Sequence, residues 1–136
     1  MSRDRSIEMF LIIRQHEAAR DKARIGVCGL TNINWKDRHA EISIYIGDPE
    51  YEGRGVGTWT LGRLAWIAFM DYGLHRLWAE IYEFNGSSVL LFEKCGYLLE
   101  GQLGQTVWHN GAWCDSYIYG LLEQNWRYRE AHREPG

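Results

Sequence analysis

YEGRGVGT, residues 51–58, sets glycines at 53, 55 and 57 just ahead of an apolar stretch with helical periodicity. Such a turn lets backbone come close to a ligand and presents the free N–H groups of the helix that follows. Two common phosphate patterns do not fit. The P-loop pattern G-x-x-x-x-G-K-[ST] needs a lysine that is not here. The dinucleotide pattern G-x-G-x-x-G ends on Thr58 when counted from Gly53 and on Thr60 when counted from Gly55. What remains is Gly53-Arg54-Gly55-Val56-Gly57-Thr58. It reads either as an anion cradle with Arg54 as a fixed charge or as a tight strand-to-helix turn that binds nothing.

The flanks narrow the choice. HAEISIYIG, residues 39–47, alternates as a strand does, with Ile42, Ile44 and Ile46 on one face and Glu41, Ser43 and Tyr45 on the other. Residues 57–72 place Leu61, Leu64, Ala65 and Ala68 at helical spacing, and Ile67, Phe69 and Met70 widen that surface, so the helix is expected to be mostly buried. Further strands are expected at 8–15, 25–33 and 75–84, with a charged loop at 16–24. A helix follows at 87–96, closed by Lys94 and Gly96. Asn110-Gly111 then turns a hairpin of 97–109 and 112–122. The order β-β-β-α-β-α-β-β, with a helix between strands 39–47 and 75–84, predicts a mixed α/β sheet containing one parallel crossover. Residues 1–122 read as one domain. The tail 123–136 is polar and expected to fray.

Composition sets bounds on function. With 136 residues the chain suits one core, and a net charge of −3 gives no global field for nucleic acid. No apolar run is long enough to span a bilayer, and the first residues show no leader segment, so a cytoplasmic protein without a membrane partner is expected. Three cysteines, Cys28, Cys95 and Cys114, show no C-x-x-C spacing and read as small core residues with reduced thiols. The five histidines are scattered without metal-ligand spacing, so no metal is expected.

The segment AEISIYIGDPEYEGRGVGT, residues 40–58, resembles the GNAT superfamily of acyl-CoA-dependent N-acetyltransferases. Its turn pattern [QR]-x-x-G-x-[GA] falls on Glu52, Gly55 and Gly57, where Glu52 departs from the usual residue. NGSSVLLFEKCGY, residues 85–97, resembles the second signature at Asn85, Ser88, Glu93, Lys94, Gly96 and Tyr97. The closing hairpin is similar to the branch that acetylates ribosomal-protein N-termini, polyamines and small amines, although a basic residue often seen in place of Gly104 is missing. The likeness spans roughly residues 25–122. It implies a GNAT-type mixed sheet flanked by helices and lacking the usual first strand and first two helices, which wall the acceptor side of the cleft. It also implies acetyl-CoA as cosubstrate, held by backbone N–H groups of Gly53, Arg54, Gly55, Val56, Gly57 and Thr58. The backbone of Tyr45 and Gly47 would pair with the pantetheine amides, and Asn85 would tie down the loop or touch the pantetheine arm. Strands 39–47 and 75–84 would splay to admit the thioester.

For the chemistry, the likeness places Glu41 as general base, with Glu80 on the neighbouring strand as runner-up; the alternative for Glu41 is an exposed strand glutamate. Phe92 stands where many members carry a proton-donating tyrosine. Ser88, one turn earlier on the same helix face, is then the candidate donor, or merely a first-turn serine that satisfies the helix end. Asp115 either orients an acceptor amine or pairs with a neighbouring strand. An aromatic pair, Trp108 opposite Trp113, is expected near the hairpin tip and with the exposed sheet edge at 8–15 suggests a homodimer. Three functions remain: an N-acetyltransferase acting on an amine acceptor, a truncated CoA-binding module without turnover, and a binder of some other nucleotide.

Overall fold

The computed structural model describes residues 5–15, 22–47 and 55–133, excepting the side chains of 13–15 and 22–24. Gly53, Arg54 and Glu52 of the glycine-rich turn lie outside the described residues, as do most of loop 16–24 and residues 134–136 of the tail. Strands β1 (Glu8–Gln15), β2 (Lys22–Asn34), β3 (His39–Ile46), β4 (Arg76–Tyr82), β5 (Leu98–His109) and β6 (Ala112–Leu122) form one sheet in the order β1-β2-β3-β4-β6-β5. Every neighbouring pair is antiparallel except β3 with β4.

Local chemistry fixes the turns. Asn34 closes the β2–β3 hairpin by accepting from the Asp37 N–H at 2.8 Å, and Arg38 (φ 60°) carries the left-handed residue. Asn110 (φ 50°) and Gly111 (φ 80°) turn β5 into β6 as the two-residue signal requires, which sets Trp108 opposite Trp113. Helix α1 (Val56–Trp66) runs into one π turn at Ile67–Asp71, and α2 (Gly86–Lys94) ends where Gly96 (φ 94°) lets the Tyr97 N–H return to the Phe92 carbonyl at 3.0 Å.

β4 and β5 both run antiparallel to β6 and so parallel to one another. Right-handed crossovers then carry α1 and α2 over the same face of the sheet. Leu61, Leu64, Ala65, Ala68 and Phe69 bury there against Leu30, Ala40, Ile42, Leu77, Ile81 and Leu121. Two expectations need correcting. Met70 is 45% exposed, because the π turn rotates it off the buried stripe. The tail does not fray along its length: residues 123–131 form helix α3 (Glu123–Ala131). Its lone apolar anchor, Trp126, buries against Phe69 with ring centroids 5.3 Å apart, and Arg129 donates to the Lys94 carbonyl at 3.0 Å. Periodicity could not show α3, since one tryptophan makes no stripe.

The second face carries Met9, Leu11, Tyr45, Tyr82 and Leu103, all exposed, and no helix among the described residues covers it. On this face Arg76 of β4 reaches across β6 to Glu100 of β5, with Nη1 2.6 Å from Oε2. The pair spans β6 only because Gly120 lies beneath it, where a Cβ would collide with the Glu100 carboxylate. The Arg76 hydrogen bond holds the Glu100 carboxyl below its ordinary range. A lowered carboxyl stabilises the fold above its unfolded value, near 4.5, and loses that contribution as pH falls through the folded value. Both side chains are about a third exposed, so screening limits the pair to on the order of 0.5–1 kcal/mol. Glu100→Gln should therefore melt a few degrees below wild type at pH 7, and the gap should close as melting is measured from pH 4.5 downward.

Candidate functional site

The parallel β3–β4 ladder has three rungs, His39/Arg76, Ala40/Leu77 and Glu41/Trp78, and then stops. β3 continues to Ile46 on β2, and β4 continues to Tyr82 on β6, so each follows its own antiparallel partner and a slot opens between them. Backbone groups alternate sides along a strand. Arg76 N–H donates to the Arg38 carbonyl at 3.1 Å, which shows that even-numbered residues of β3 face β4. Beyond the last rung, Ile44 and Ile46 thus turn their backbone groups into the slot.

This corrects the residues expected to hold pantetheine. Gly47 N–H donates to the Ile25 carbonyl of β2 at 2.9 Å, and the Tyr45 carbonyl lies against Gly26 on the same side. Neither presents those groups to the slot; Ile44 and Ile46 do. The sequence of β3 alone does not fix this parity, which its pairing with β2 sets. A strand held between two neighbours offers them alternate residues, so the residues that serve β2 cannot also serve the slot.

At the head of the slot stands the N-terminus of α1. Gly55 (φ 78°) is its cap residue, without a side-chain hydrogen bond and with no acidic residue in the first turn. The first intrahelical bond here is Trp59 N–H to the Gly55 carbonyl at 3.0 Å, which leaves the N–H groups of Val56, Gly57 and Thr58 without helical partners. A Cβ on Gly55 would meet none of the described residues within 4 Å. Gly57 serves packing instead, since a Cβ there would stand 2.9 Å from a Leu91 methyl of α2. Gly57 lets α1 and α2 touch.

That contact positions the rest of α2. Asn85 caps it, accepting from the Ser88 N–H at 3.3 Å and from the Ser87 hydroxyl at 3.2 Å. Ser88 is half-buried on the stripe that continues through Leu91, Phe92 and Cys95. Phe92 is buried edge-on to Tyr97, centroids 4.9 Å apart, and has no proton to give. The Tyr97 hydroxyl is buried without a partner among the described residues, and burial pushes its pKa far above the ordinary phenol range.

Two carboxylates border the slot on the second face. Glu41, half-buried at the last rung, accepts from Asn32 Nδ2 at 2.8 Å and from the Thr31 hydroxyl at 3.5 Å. Asn32 (φ 49°) sits in the irregular stretch of β2 between Thr31 and Asn34, and this left-handed residue brings its amide to Glu41. Glu80 lies two residues beyond the last rung on β4 and accepts from the Ser116 hydroxyl at 2.8 Å. Asp115 is occupied by β5: it accepts from Gln105 N–H at 2.8 Å and Gln102 Nε2 at 2.7 Å, and these hold its carboxyl below the usual range. A cavity of about 920 Å³ between α1, the end of α2 and α3 shares Gly55 and Thr58 with the helix terminus but is lined by none of Glu41, Tyr45, Glu80 or Ser88. No cluster that could hold a metal ion occurs among the described residues.

The family model for the acetyltransferase (GNAT) domain matches residues 2–98. The chain belongs to the GNAT acetyltransferases. It is 33% identical over 105 residues to a spermidine N(1)-acetyltransferase of Vibrio cholerae, covering 77% of this chain and 60% of that protein. It is 31% identical over 106 residues to the putative ribosomal N-acetyltransferase YdaF of Bacillus subtilis, covering 78% and 57%. The V. cholerae spermidine N-acetyltransferase solved with CoA and spermine superposes with a TM-score of 0.79 at 27% identity, over 90% of this chain and 69% of that one. The chain thus spans about three fifths of the length of its curated relatives. The GNAT sheet with its early-ending parallel ladder is the arrangement the sequence likeness implied.

If Gly57 serves helix contact, Gly57→Val should cost about 1–3 kcal/mol by overpacking against Leu91, a drop of several degrees in melting temperature. Adding Leu91→Ala should restore part of the loss. Equal melting of Gly57→Val in both backgrounds would show that the clash does not matter.

Proposed function

We propose that this domain transfers an acetyl group from acetyl-CoA to a primary amine. The observation that carries the reading is the end of the β3–β4 ladder at Glu41/Trp78, which leaves unpaired strand edge leading to an uncapped helix terminus. An extended chain bearing amides can add to the Ile44–Ile46 edge as a strand would. The N–H groups of Val56, Gly57 and Thr58, which have no helical partners, suit a pyrophosphate, with Gly53 and Arg54 as proposed further contacts. The relative solved with CoA and spermine supports a thioester and an amine as the ligand pair.

Acetyl-CoA supplies the activated acyl group. The chain supplies a proton acceptor, a proton donor and alignment. Glu41, fixed by Asn32 and Thr31, takes the proton of the amine, directly or through water. The amine nitrogen bonds the acyl carbon, the carbon–sulfur bond breaks, and the thiolate leaves with a proton from Ser88 or from solvent. A thiol of pKa about 8.5 leaves readily, so Ser88 contributes less than Glu41. The three cysteines are free thiols, as suits the reducing cytoplasm. We also place a homodimer at the hairpin tip or the β1 edge, since Trp108 and Trp113, stacked edge-on at 5.2 Å, remain 60% and 58% exposed. The V. cholerae relative has itself been solved as a dodecamer.

CoA at a hundredfold excess over Kd should stabilise the protein by about 2.7 kcal/mol, seen as a raised melting temperature, while ATP and NADH should not. Equal shifts with all three would sink the coenzyme assignment. Thiol release across an amine panel tests turnover, and stabilisation without release would leave a binding module. Glu41→Gln should lower the release rate about 10²–10⁴-fold with acetyl-CoA binding nearly intact. Sedimentation velocity at micromolar concentration tests the dimer, and a monomer at all concentrations rejects it.

A further inference from the structure

An exposed carboxylate on a strand ordinarily swings freely, yet Glu80 is pinned from behind. Its Oε2 accepts from the hydroxyl of Ser116, which is fully buried, and the Ser116 oxygen accepts in turn from the Thr106 hydroxyl at 2.9 Å. Burying a hydroxyl costs free energy unless it is hydrogen-bonded, so this chain is fixed by its own satisfaction.

β5 is built irregularly to supply the outer hydroxyl. Leu103 pairs with Ser116 and Val107 with Cys114, so residues 104–106 stand opposite Asp115 alone. The extra length is accommodated by Gln105 at φ 53°, a left-handed conformation costly for a side chain of this kind. Asp115 holds the distortion by accepting the Gln105 N–H. The result brings Thr106 onto Ser116 instead of continuing the ladder.

The carboxylates around the slot are thereby sorted. Asp115 is taken by Gln102 and Gln105, Glu83 accepts from the Asp115 N–H at 2.9 Å, and Glu41 has two donors on one oxygen. Glu80 is held through Oε2, and its Oε1, like Oε2 of Glu41 and Glu83, takes no hydrogen bond among the described residues; what sets Glu80 apart is that its donor is a fully buried hydroxyl. It is a fixed negative charge with a free acceptor, on the face that Glu41 shares and just past the rung where the slot opens.

We propose that Glu80 anchors the incoming acceptor as its ammonium form, with Ser116 and Thr106 as positioning residues that hold the carboxylate ready. This rests on the acetyl-transfer reading and assigns it a determinant of acceptor binding separate from the base. The ammonium docks on Glu80 Oε1 and loses one proton through Glu41 to water; the neutral nitrogen then attacks the acyl carbon, its second proton leaves to Glu41, and the carbon–sulfur bond breaks as the thiolate takes up a proton.

The test is steady-state kinetics of thiol release with spermidine as acceptor, in wild type, Ser116→Ala, Ser116→Thr, Thr106→Val, Glu80→Gln and the double variant Ser116→Ala/Glu80→Gln. Ser116→Ala should raise the KM for spermidine about tenfold, with kcat within about threefold and the KM for acetyl-CoA within about twofold. Ser116→Thr keeps the hydroxyl and should restore most of the affinity. Thr106→Val, at an exposed position, should give a smaller rise of about threefold and keeps the test available if Ser116→Ala folds poorly. In the Glu80→Gln background Ser116→Ala should change the spermidine KM by less than about twofold. An equal loss in both backgrounds, or a loss confined to kcat, would overturn the positioning while leaving acetyl transfer standing. No thiol release by wild type with spermidine or any amine of the panel would reject acetyl transfer, and the anchor with it.

Discussion

The site depends on a pairing that is not made. β3 and β4 share three rungs and then separate, while each remains fully paired on its other side, β3 to β2 as far as Ile46 and β4 to β6 as far as Tyr82. A buried strand edge without partners would be costly, because unpaired N–H and C=O groups lose water without gaining a bond. An opened slot avoids this cost by keeping those groups accessible. The same opening lets Glu41 and Glu80, one on each wall, border a shared space on the uncovered face.

Much of this was legible in the sequence because it is governed by local rules. The period-two run at 39–47 placed Glu41, Ser43 and Tyr45 on the face opposite the isoleucines, and Asn110-Gly111 fixed the register that sets Trp108 on Trp113. What escaped was set by neighbours distant in sequence. Helix α3 exists through Trp126 on Phe69 and Arg129 on the end of α2, two contacts that no periodicity within 123–136 announces. Met70 sits at helical spacing for burial and is exposed, because a π turn adds a residue and changes the phase. The backbone groups of Gly47 and Tyr45 serve β2 and not the slot, a parity fixed by the register with β2.

The glycines show how a motif can unite unlike physical demands. Gly55 adopts φ 78° with none of the described residues within 4 Å of where a Cβ would stand, so its role is conformational. Gly57, two residues on, is required by Leu91. A pattern read only as an anion cradle merges these roles. The structure separates them into one glycine that frees the helix terminus and another that brings the second helix against it.

The helix contact then ties packing to chemistry. Ser88 stands one turn before Leu91 on the same stripe, and Asn85 fixes the start of that turn. A side chain at Gly57 must displace the Leu91 methyls, and any part of that displacement passed to the α2 backbone would carry Ser88 with it. A hydrogen-bonding atom displaced by about 1 Å leaves useful range, so the effect on proton delivery would exceed the effect on stability. Glu41 and Glu80 are insulated from such a shift, because their donors come from β2 and β6 on the opposite face of the sheet. In the proposed reaction, donor and acceptor are thus held by separate structural supports: the helix layer places the Ser88 hydroxyl, and the irregular strands place the carboxylates.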